Sequence, residues 1–297
     1  MALPYCTPMI SPRPNLKVKL ENFNPAGSHK ARAARHILKK AIADGELKPG
    51  GPRRIIEKSG GNFGIGLAFE AAKHDIGVDL VIGLSFSPLK RKLCEEYGAR
   101  LICVDLLQQG LQPKDVVAHY LSHYNGQYFF TDQFTNRENL NAHMRETAPE
   151  IVGQIRSAAR RFDGITLVLS AGTGAHICAL KATLSNEFAN LRVFVPEPEN
   201  CSFQKGVFGT HSQQGAAVGI APPFLDLNMV DQFVPVSDIE VSEGQRLFAR
   251  DCGIYPGPTS GANYFLARRI SEREPHQLVV TMIYDIGDTY LTPKTTG

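Results

Sequence analysis

The sequence predicts an α/β fold: two open, twisted, mostly parallel sheets covered by helices. Three observations predict it. Short β-branched runs alternate with amphipathic stretches of helical length, the pattern of parallel strands joined by covering helices. The connections between successive strands are too long for hairpins. The glycine- and hydroxyl-rich segments fall where a strand gives way to a helix, and ligands of open parallel sheets sit beyond those strand ends.

The elements follow in order. A helix starts after Ser28, whose hydroxyl is placed to cap it, and Ala31, Ala34, Leu38 and Ala41 form its apolar stripe. Residues 54–58 read as a strand, 63–73 as a helix, 79–84 as a strand, 88–97 as a helix and 101–105 as a strand. A helix over 113–123 and a strand over 128–131 precede a long helical stretch, 138–161. The remainder reads as a strand at 166–170, a helix from about 175, a strand at 192–195, helices at 242–252 and 260–270, and a last strand at 278–283. Residues 200–231 are glycine-rich and irregular, hence a loop region. One block of alternation ends near residue 135 and a second follows, which suits a chain of 297 residues.

Composition narrows the function classes. With 43% hydrophobic and 21% charged residues the chain has the make-up of a globular protein with an ample core. A net charge of +3 gives no argument for nucleic acid, and no apolar run approaches the roughly 20 residues of a membrane helix. Residues 1–14 lack the charged-then-apolar order of a signal peptide. Six cysteines without a C-x-x-C spacing read as reduced thiols, so a cytoplasmic protein is expected.

Four segments carry chemistry. In the first, Asn24, Pro25 and Gly27 mark a turn, and Lys30 then sits in the first turn of a helix. The helix dipole and nearby Arg32 disfavour its ammonium, as a nucleophilic lysine requires. The same helix also reads as a solvated basic face built from Arg32, Arg35, Lys39 and Lys40. The second segment is Ser59-Gly60-Gly61-Asn62-Phe63-Gly64, between strand and helix. Its glycines allow close backbone approach, and the helix start offers N–H donors to an anion. The third, Ser170-Ala171-Gly172-Thr173-Gly174-Ala175-His176, has the small residues and helix start of a phosphate cradle, and reads equally as a structural turn. It lacks both the lysine of a Walker loop and the G-x-G-x-x-G spacing of a dinucleotide site. The fourth, residues 256–262, presents Thr259 and Ser260 either to a ligand or as a helix N-cap. Elsewhere, His119 and His123 stand i,i+4 without a third ligand, so a metal site is not expected. The basic helix has no interleaved aromatics for nucleic acid.

In this order the four segments resemble the cysteine synthase and cystathionine β-synthase family of pyridoxal-phosphate (PLP) enzymes. The most specific match is K-x-E-x-x-N-P-x-G-S-x-K-x-R at Lys19, Glu21, Asn24, Pro25, Gly27, Ser28, Lys30 and Arg32. Thr7-Pro8, Asp132-Gln133-Phe134 with Asn136, Pro149-Glu150-Ile151 and Gly287-Asp288-Thr289-Tyr290-Leu291 also fit. The resemblance implies that Lys30 holds PLP as a Schiff base and that Asn62 contacts the cofactor 3′-oxygen. It places the phosphate on Gly172, Thr173, Gly174, Ala175 and His176, and Thr259 at the pyridine nitrogen. Ser59, Gly60, Gly61, Phe63, Gln133 and Gly215 would meet the amino-acid substrate. It further implies a smaller mobile domain over 26–135, a larger PLP-binding domain over 1–25 and 136–297, an active site in the cleft between them, and a homodimer.

The implied reaction is β-replacement on a serine-derived amino acid, through an aminoacrylate that a second, nucleophilic substrate then attacks. Thr259 argues for it, because a neutral hydroxyl does not hold the pyridine nitrogen protonated as a carboxylate would. Simple β-elimination, as in serine and threonine dehydratases, is the alternative. A catalytically silent regulatory partner is the reading outside catalysis. The chain departs from the family pattern at Ser59, Gly60 and Phe63, where the pattern has Thr, Ser and Thr. His176 replaces a phosphate-binding threonine, and residues 215–219 replace a more glycine-rich run. These changes imply a specialised substrate or nucleophile, with the Phe63 ring expected to narrow and dry the site.

Overall fold

The computed structural model describes residues 6–59, 61–84 and 86–291, and the chain divides into two compact units. The first unit comprises the chain up to Asn24 together with Leu140–Asp288; the second comprises Pro25–Asn139 and the chain from Thr289 on. Among the described residues no helix is long and apolar enough to cross a membrane, and all six cysteines are free thiols.

The chain opens in the first unit with a hairpin, β1 (Met9–Arg13) and β2 (Leu16–Leu20), which pair antiparallel. Sequence reading missed it because Pro12 and Pro14 interrupt the run. Proline is tolerated here because β1 lies at the edge of its sheet. The motif lysine at the end of β2 is structural. Lys19 is fully buried, and its Nζ donates to Thr7 O (2.6 Å), Glu150 Oε2 (2.7 Å) and Gln154 Oε1 (2.9 Å). Glu21 accepts from Thr7 Oγ1 at 2.6 Å and from Asn24 Nδ2 at 2.9 Å. Three separated matches, at Thr7, Lys19–Glu21 and Glu150, are therefore one buried network in which each charge has partners, as burial demands.

In the second unit α1 (Lys30–Ala43) leads to β3 (Arg54–Glu57), α2 (Asn62–Ala72), β4 (Val78–Leu80), α3 (Pro88–Glu96) and β5 (Ala99–Leu101). There follow α4 (Val104–Gln108), α5 (Pro113–His123) and β6 (Tyr128–Phe130). The four strands form a parallel sheet in the order β5-β4-β3-β6. The strand expected to run to Asp105 stops at Leu101, because Cys103 is left-handed (φ 59°) and starts α4 instead. Asp79, fully buried on β4, ties the sheet together through Arg54 (2.6 Å), Arg100 (2.7 Å) and Tyr128 (2.9 Å). Burial pushes its carboxyl up, but the hydrogen bonds from Arg100, Arg54 and Tyr128 prevail and hold it below the ordinary value.

The single long helix expected over 138–161 is α6 (Arg137–Ala142), a π-turn at His143–Thr147 and α7 (Ala148–Ala159). The wide turn falls just before Pro149, which lacks the N–H that an unbroken α ladder needs. The first unit continues with β7 (Gly164–Val168), α8 (Ala175–Ser185), β8 (Leu191–Pro198) and a small hairpin, β9 (Cys201–Ser202) and β10 (Val207–Phe208). Then come β11 (Gln232–Val236), α9 (Asp238–Cys252), α10 (Pro258–Arg273) and β12 (Gln277–Ile283). Its sheet runs β1-β2-β12-β7-β8-β11, parallel except at the β1 edge. The central strands are apolar on both faces, with Leu16, Val18, Leu167, Val168 and Val279 fully buried, as a sheet covered on both sides requires.

Candidate active site

Lys30 is the first residue of α1. A tight turn at Pro25–Gly27, with Ala26 (φ 58°) and Gly27 (φ 73°) left-handed, delivers the chain to it. The expected Ser28 cap does not form. The N-cap is His29, already helical at φ −58°, ψ −23°, so the extended residue from which a hydroxyl reaches the first turn is missing. The Ser28 carbonyl instead accepts from Ala31 N–H (3.2 Å), and its hydroxyl is buried without a hydrogen-bond partner among the described residues.

The solvated basic face survives only in the last turn of α1. Lys39 and Lys40 are exposed, whereas Arg32 is fully buried and Arg35 is 7% exposed. Lys30 keeps part of its surface accessible, yet the protein packed around it lowers its pKa to about 8. Burial is the cause, in place of the dipole and Arg32 invoked from sequence. Roughly a tenth of such amines are neutral at pH 7, several hundred times the fraction of an ordinary lysine.

α2 brings the second segment to the same place. A Cβ on Gly66 would stand 3.1 Å from Ala31 Cα and 3.4 Å from the Lys30 carbonyl carbon. Only glycine lets the first turn of α1 approach α2 this closely, one turn beyond the loop that begins at Ser59. Gly61 is the N-cap of α2 and Asn62 its first residue; Ser59 is buried, and Gly60 lies outside the described residues. Phe63 departs from expectation. It is 2% exposed and belongs to the apolar core of the second unit with Ala34, Leu67 and Leu80. Burying such a ring contributes about 2–3 kcal/mol, so it anchors the loop and leaves no free face to line a site. Gln133, 7% exposed, lies beyond β6, where its carbonyl accepts from Asn139 Nδ2 (2.7 Å).

The first unit supplies an anion cradle. β7 ends before Ser170, whose N–H and hydroxyl both donate to Asn263 Oδ1 (2.8 Å each), while Ser170 O accepts from Tyr284 OH (3.2 Å). Ala217 N–H donates to Ala171 O (3.1 Å) and Phe224 N–H to Thr173 O (3.0 Å), so the glycine-rich segment that contains Gly215 packs on the loop backbone to backbone. Gly174 is left-handed (φ 81°), and a Cβ there would meet Leu225 Cβ at 2.6 Å. This glycine is demanded by the chain itself before any ligand arrives. Thr173 Oγ1 accepts from Ala175 N–H (3.4 Å) at the start of α8. The loop from Ser170 to His176 carries no carboxylate, and the first-turn N–H groups of α8 form the donor set a phosphate needs. The His176 ring is held at Tyr284 OH (2.9 Å from Nε2).

Thr259 is 8% exposed and its hydroxyl donates to Gln214 O (3.0 Å). Ser260 Oγ accepts from Tyr284 N–H (2.9 Å). Neither caps α10, whose N-cap is Gly257.

Several residues here escaped sequence reading. Asn263 and Tyr284 lock the cradle, but each looks like an ordinary helix or strand residue. Lys90 stands in a basic run, PLKRK, yet it is 2% exposed and donates to Asn62 Oδ1 (2.9 Å). Glu57, at the end of β3, is fully buried and accepts from Lys58 N–H (2.9 Å) and from Thr131 Oγ1. Burial pushes its carboxyl up to about 7, against the opposing hydrogen bonds from Thr131 and Lys58. Among the described residues no group of three metal-binding side chains occurs.

An amine of lowered pKa, an amide at a helix start, an anion cradle and a buried hydroxyl fit PLP by donor chemistry. Comparison with known proteins agrees. The pyridoxal-phosphate dependent enzyme family matches residues 5–285. A probable cysteine synthase from Bacillus subtilis (strain 168) is 34% identical over 277 residues, 93% of this chain and 88% of that protein. The O-ureido-L-serine synthase of Streptomyces lavendulae is 32% identical over 93% of this chain and 83% of its own. A crystal structure of O-ureido-L-serine synthase superposes with a TM-score of 0.86 at 28% identity, covering 97% of this chain and 91% of that one.

Proposed function

The chain belongs to the pyridoxal-phosphate dependent enzyme family, and from that membership we propose a β-replacement enzyme acting on a serine-derived amino acid with a leaving group on Cβ. The observation that carries this reading is Lys30, whose amine burial lowers to about pKa 8 on a helix start that packs by its backbone against Gly66 of α2. Relatives whose names state synthesis of cysteine or of O-ureido-L-serine support the reaction class.

PLP supplies an electron sink at the substrate Cα. Lys30 Nζ would hold the cofactor, and the same amine would serve as general base for the substrate Cα proton. N–H groups of the loop at Ser59, Gly60 and Gly61 hold the substrate carboxylate, with Gln133 and Gly215 as further substrate contacts. Asn62 would meet the cofactor 3′-oxygen. Gly172, Thr173, Gly174, Ala175 and the backbone of His176 would hold the phosphate, and Thr259 would face the pyridine nitrogen. A homodimer accords with exposed Val207, Val218, Ile220 and Ile239 on the first unit, and free cysteines throughout accord with a reducing cytoplasm.

The test is a screen of β-substituted alanines, each offered with and without thiol and amine acceptors. Acceptor-dependent formation of a new amino acid is the expected result. Pyruvate and ammonia released at the same rate without any acceptor would turn the assignment to β-elimination.

A further inference from the structure

Lys90 lies in the first turn of α3 and is 2% exposed. An ammonium buried to this degree is retained only where strong partners replace water. Its Nζ is 2.9 Å from Asn62 Oδ1 and 3.6 Å from the centroid of the Tyr290 ring. Tyr290 is brought there by the segment beyond Asp288, where Thr289 O accepts from Ser87 Oγ (2.6 Å). The same Ser87 oxygen caps α3 by accepting from Lys90 N–H (3.4 Å). The start of α3, the Asn62 loop and the terminal segment thus converge on one ammonium.

That convergence sets the polarity of Asn62. A carboxamide has an oxygen that accepts and an NH2 group that donates, and the two are nearly equal in shape. An ammonium has three donors and no acceptor. Only the oxygen can face Lys90, so the NH2 group points the other way. A charge-assisted bond is also about twice as strong as a neutral one, and it polarises the amide so that its NH2 becomes a better donor.

We propose that Lys90 is a positioning residue that fixes the Asn62 carboxamide as a hydrogen-bond donor, and a donor only, to the 3′-oxygen of PLP. This rests on the reading above that Asn62 meets that oxygen. A donor locked in this orientation favours negative charge on the oxygen, whereas an amide free to turn over would present its own oxygen half of the time. The pyridoxal tautomers absorb at different wavelengths, so the orientation is visible in the spectrum of the loaded enzyme.

The experiment compares wild type with Lys90→Met, Lys90→Gln, Lys90→Arg, Asn62→Ala and the double variant Lys90→Met/Asn62→Ala. Each is loaded with PLP, and the absorption spectrum and PLP dissociation constant are measured across pH, with circular dichroism to confirm folding. Lys90→Met should move absorbance from the long-wavelength to the short-wavelength band and weaken PLP binding about tenfold, equivalent to roughly 1.4 kcal/mol. Asn62→Ala should do the same, the double variant should add nothing further, and Lys90→Arg should stay near wild type. If Lys90→Met fails to fold, Lys90→Gln carries the test, since its amide both donates and accepts and no longer selects one orientation. A folded Lys90→Met or Lys90→Gln protein with the wild-type spectrum and affinity, alongside an altered Asn62→Ala, overturns this proposal alone. An unaltered Asn62→Ala overturns the placement of Asn62 and this proposal with it, and a wild type that takes up no PLP overturns both.

Discussion

Lys30 illustrates how burial tunes a residue for chemistry. No carboxylate contributes to its titration; the surrounding protein alone lowers its pKa to about 8. Lys30→Ala should therefore abolish both the visible absorbance of lysine-bound PLP and all turnover. Borohydride reduction of the variant followed by peptide mapping checks this, and a lysine-linked adduct in Lys30→Ala would locate the attachment elsewhere. Glu57 shows the opposite titration. Its pKa rises from 4.5 in the unfolded chain to about 7 in the fold, so the folded state binds the proton more tightly. It costs nothing well below pH 4.5, the cost grows as pH rises, and it is fully present above pH 7. A shift of this size corresponds to about 3 kcal/mol as an order of magnitude. Glu57→Gln keeps hydrogen-bonding atoms for Thr131 and Lys58. It should match wild type in stability near pH 4 and exceed it at pH 8, and denaturant midpoints at the two values decide the matter.

At the scale of elements, two junctions place the proposed site and a third serves as a control, and they differ in what they should do when broken. The start of α8 is the proposed anion cradle, and Thr173→Val removes the hydroxyl at the loop with little change of shape. PLP affinity should fall about tenfold, the worth of one charge-assisted hydrogen bond, and equilibrium dialysis measures it. A Cβ on Gly66 would stand 3.1 Å from the Ala31 backbone of α1, so Gly66→Ala must push the start of α1, and Lys30 with it, away from α2. It should cost about 1–3 kcal/mol and weaken PLP retention together. The start of α9 serves as the control. Ser237 and Glu240 form a capping box there, and Ser237→Ala should cost about 1 kcal/mol while leaving PLP binding unchanged. A Ser237→Ala protein with impaired PLP binding would show that loss of stability alone explains the other two.

Across the whole molecule the proposed cofactor contacts fall on both units, with Lys30 and Asn62 on one and Thr173 and Thr259 on the other. A ligand that binds only the folded protein stabilises it, by about 2.7 kcal/mol at a hundredfold excess over its dissociation constant. For a chain of this size that is roughly 4–5 °C in Tm. PLP should raise the Tm of wild type by this amount, and Asn62→Ala or Thr173→Val should each reduce the gain. If both residues hold one PLP molecule as proposed, their effects should add. Thermal scans of the four proteins with and without PLP test this. A double variant no worse than either single one would mean that the two residues do not hold the same molecule.

The sequence by itself determined the alternation of strands and helices, the parallel sheets and, through its motifs, the family. Those features are local: a strand's β-branched run, a helix's apolar stripe and a glycine loop at their junction are written in consecutive residues. It missed the β1–β2 hairpin and β11, where proline hides an edge strand, and it placed the Ser28 cap by residue type where the backbone at His29 was already helical. The tertiary structure showed that Lys19 and Glu150 of the matched motifs satisfy one another, while the Lys30 amine is lowered in pKa by burial. It turned Phe63 from a wall of the site into an anchor of the loop, and it made Lys90 a partner of Asn62. The physical reason is common to these cases. Burial and hydrogen-bond partners come from residues distant in sequence, and they decide whether a given side chain is a charge in water, a piece of core or a reagent.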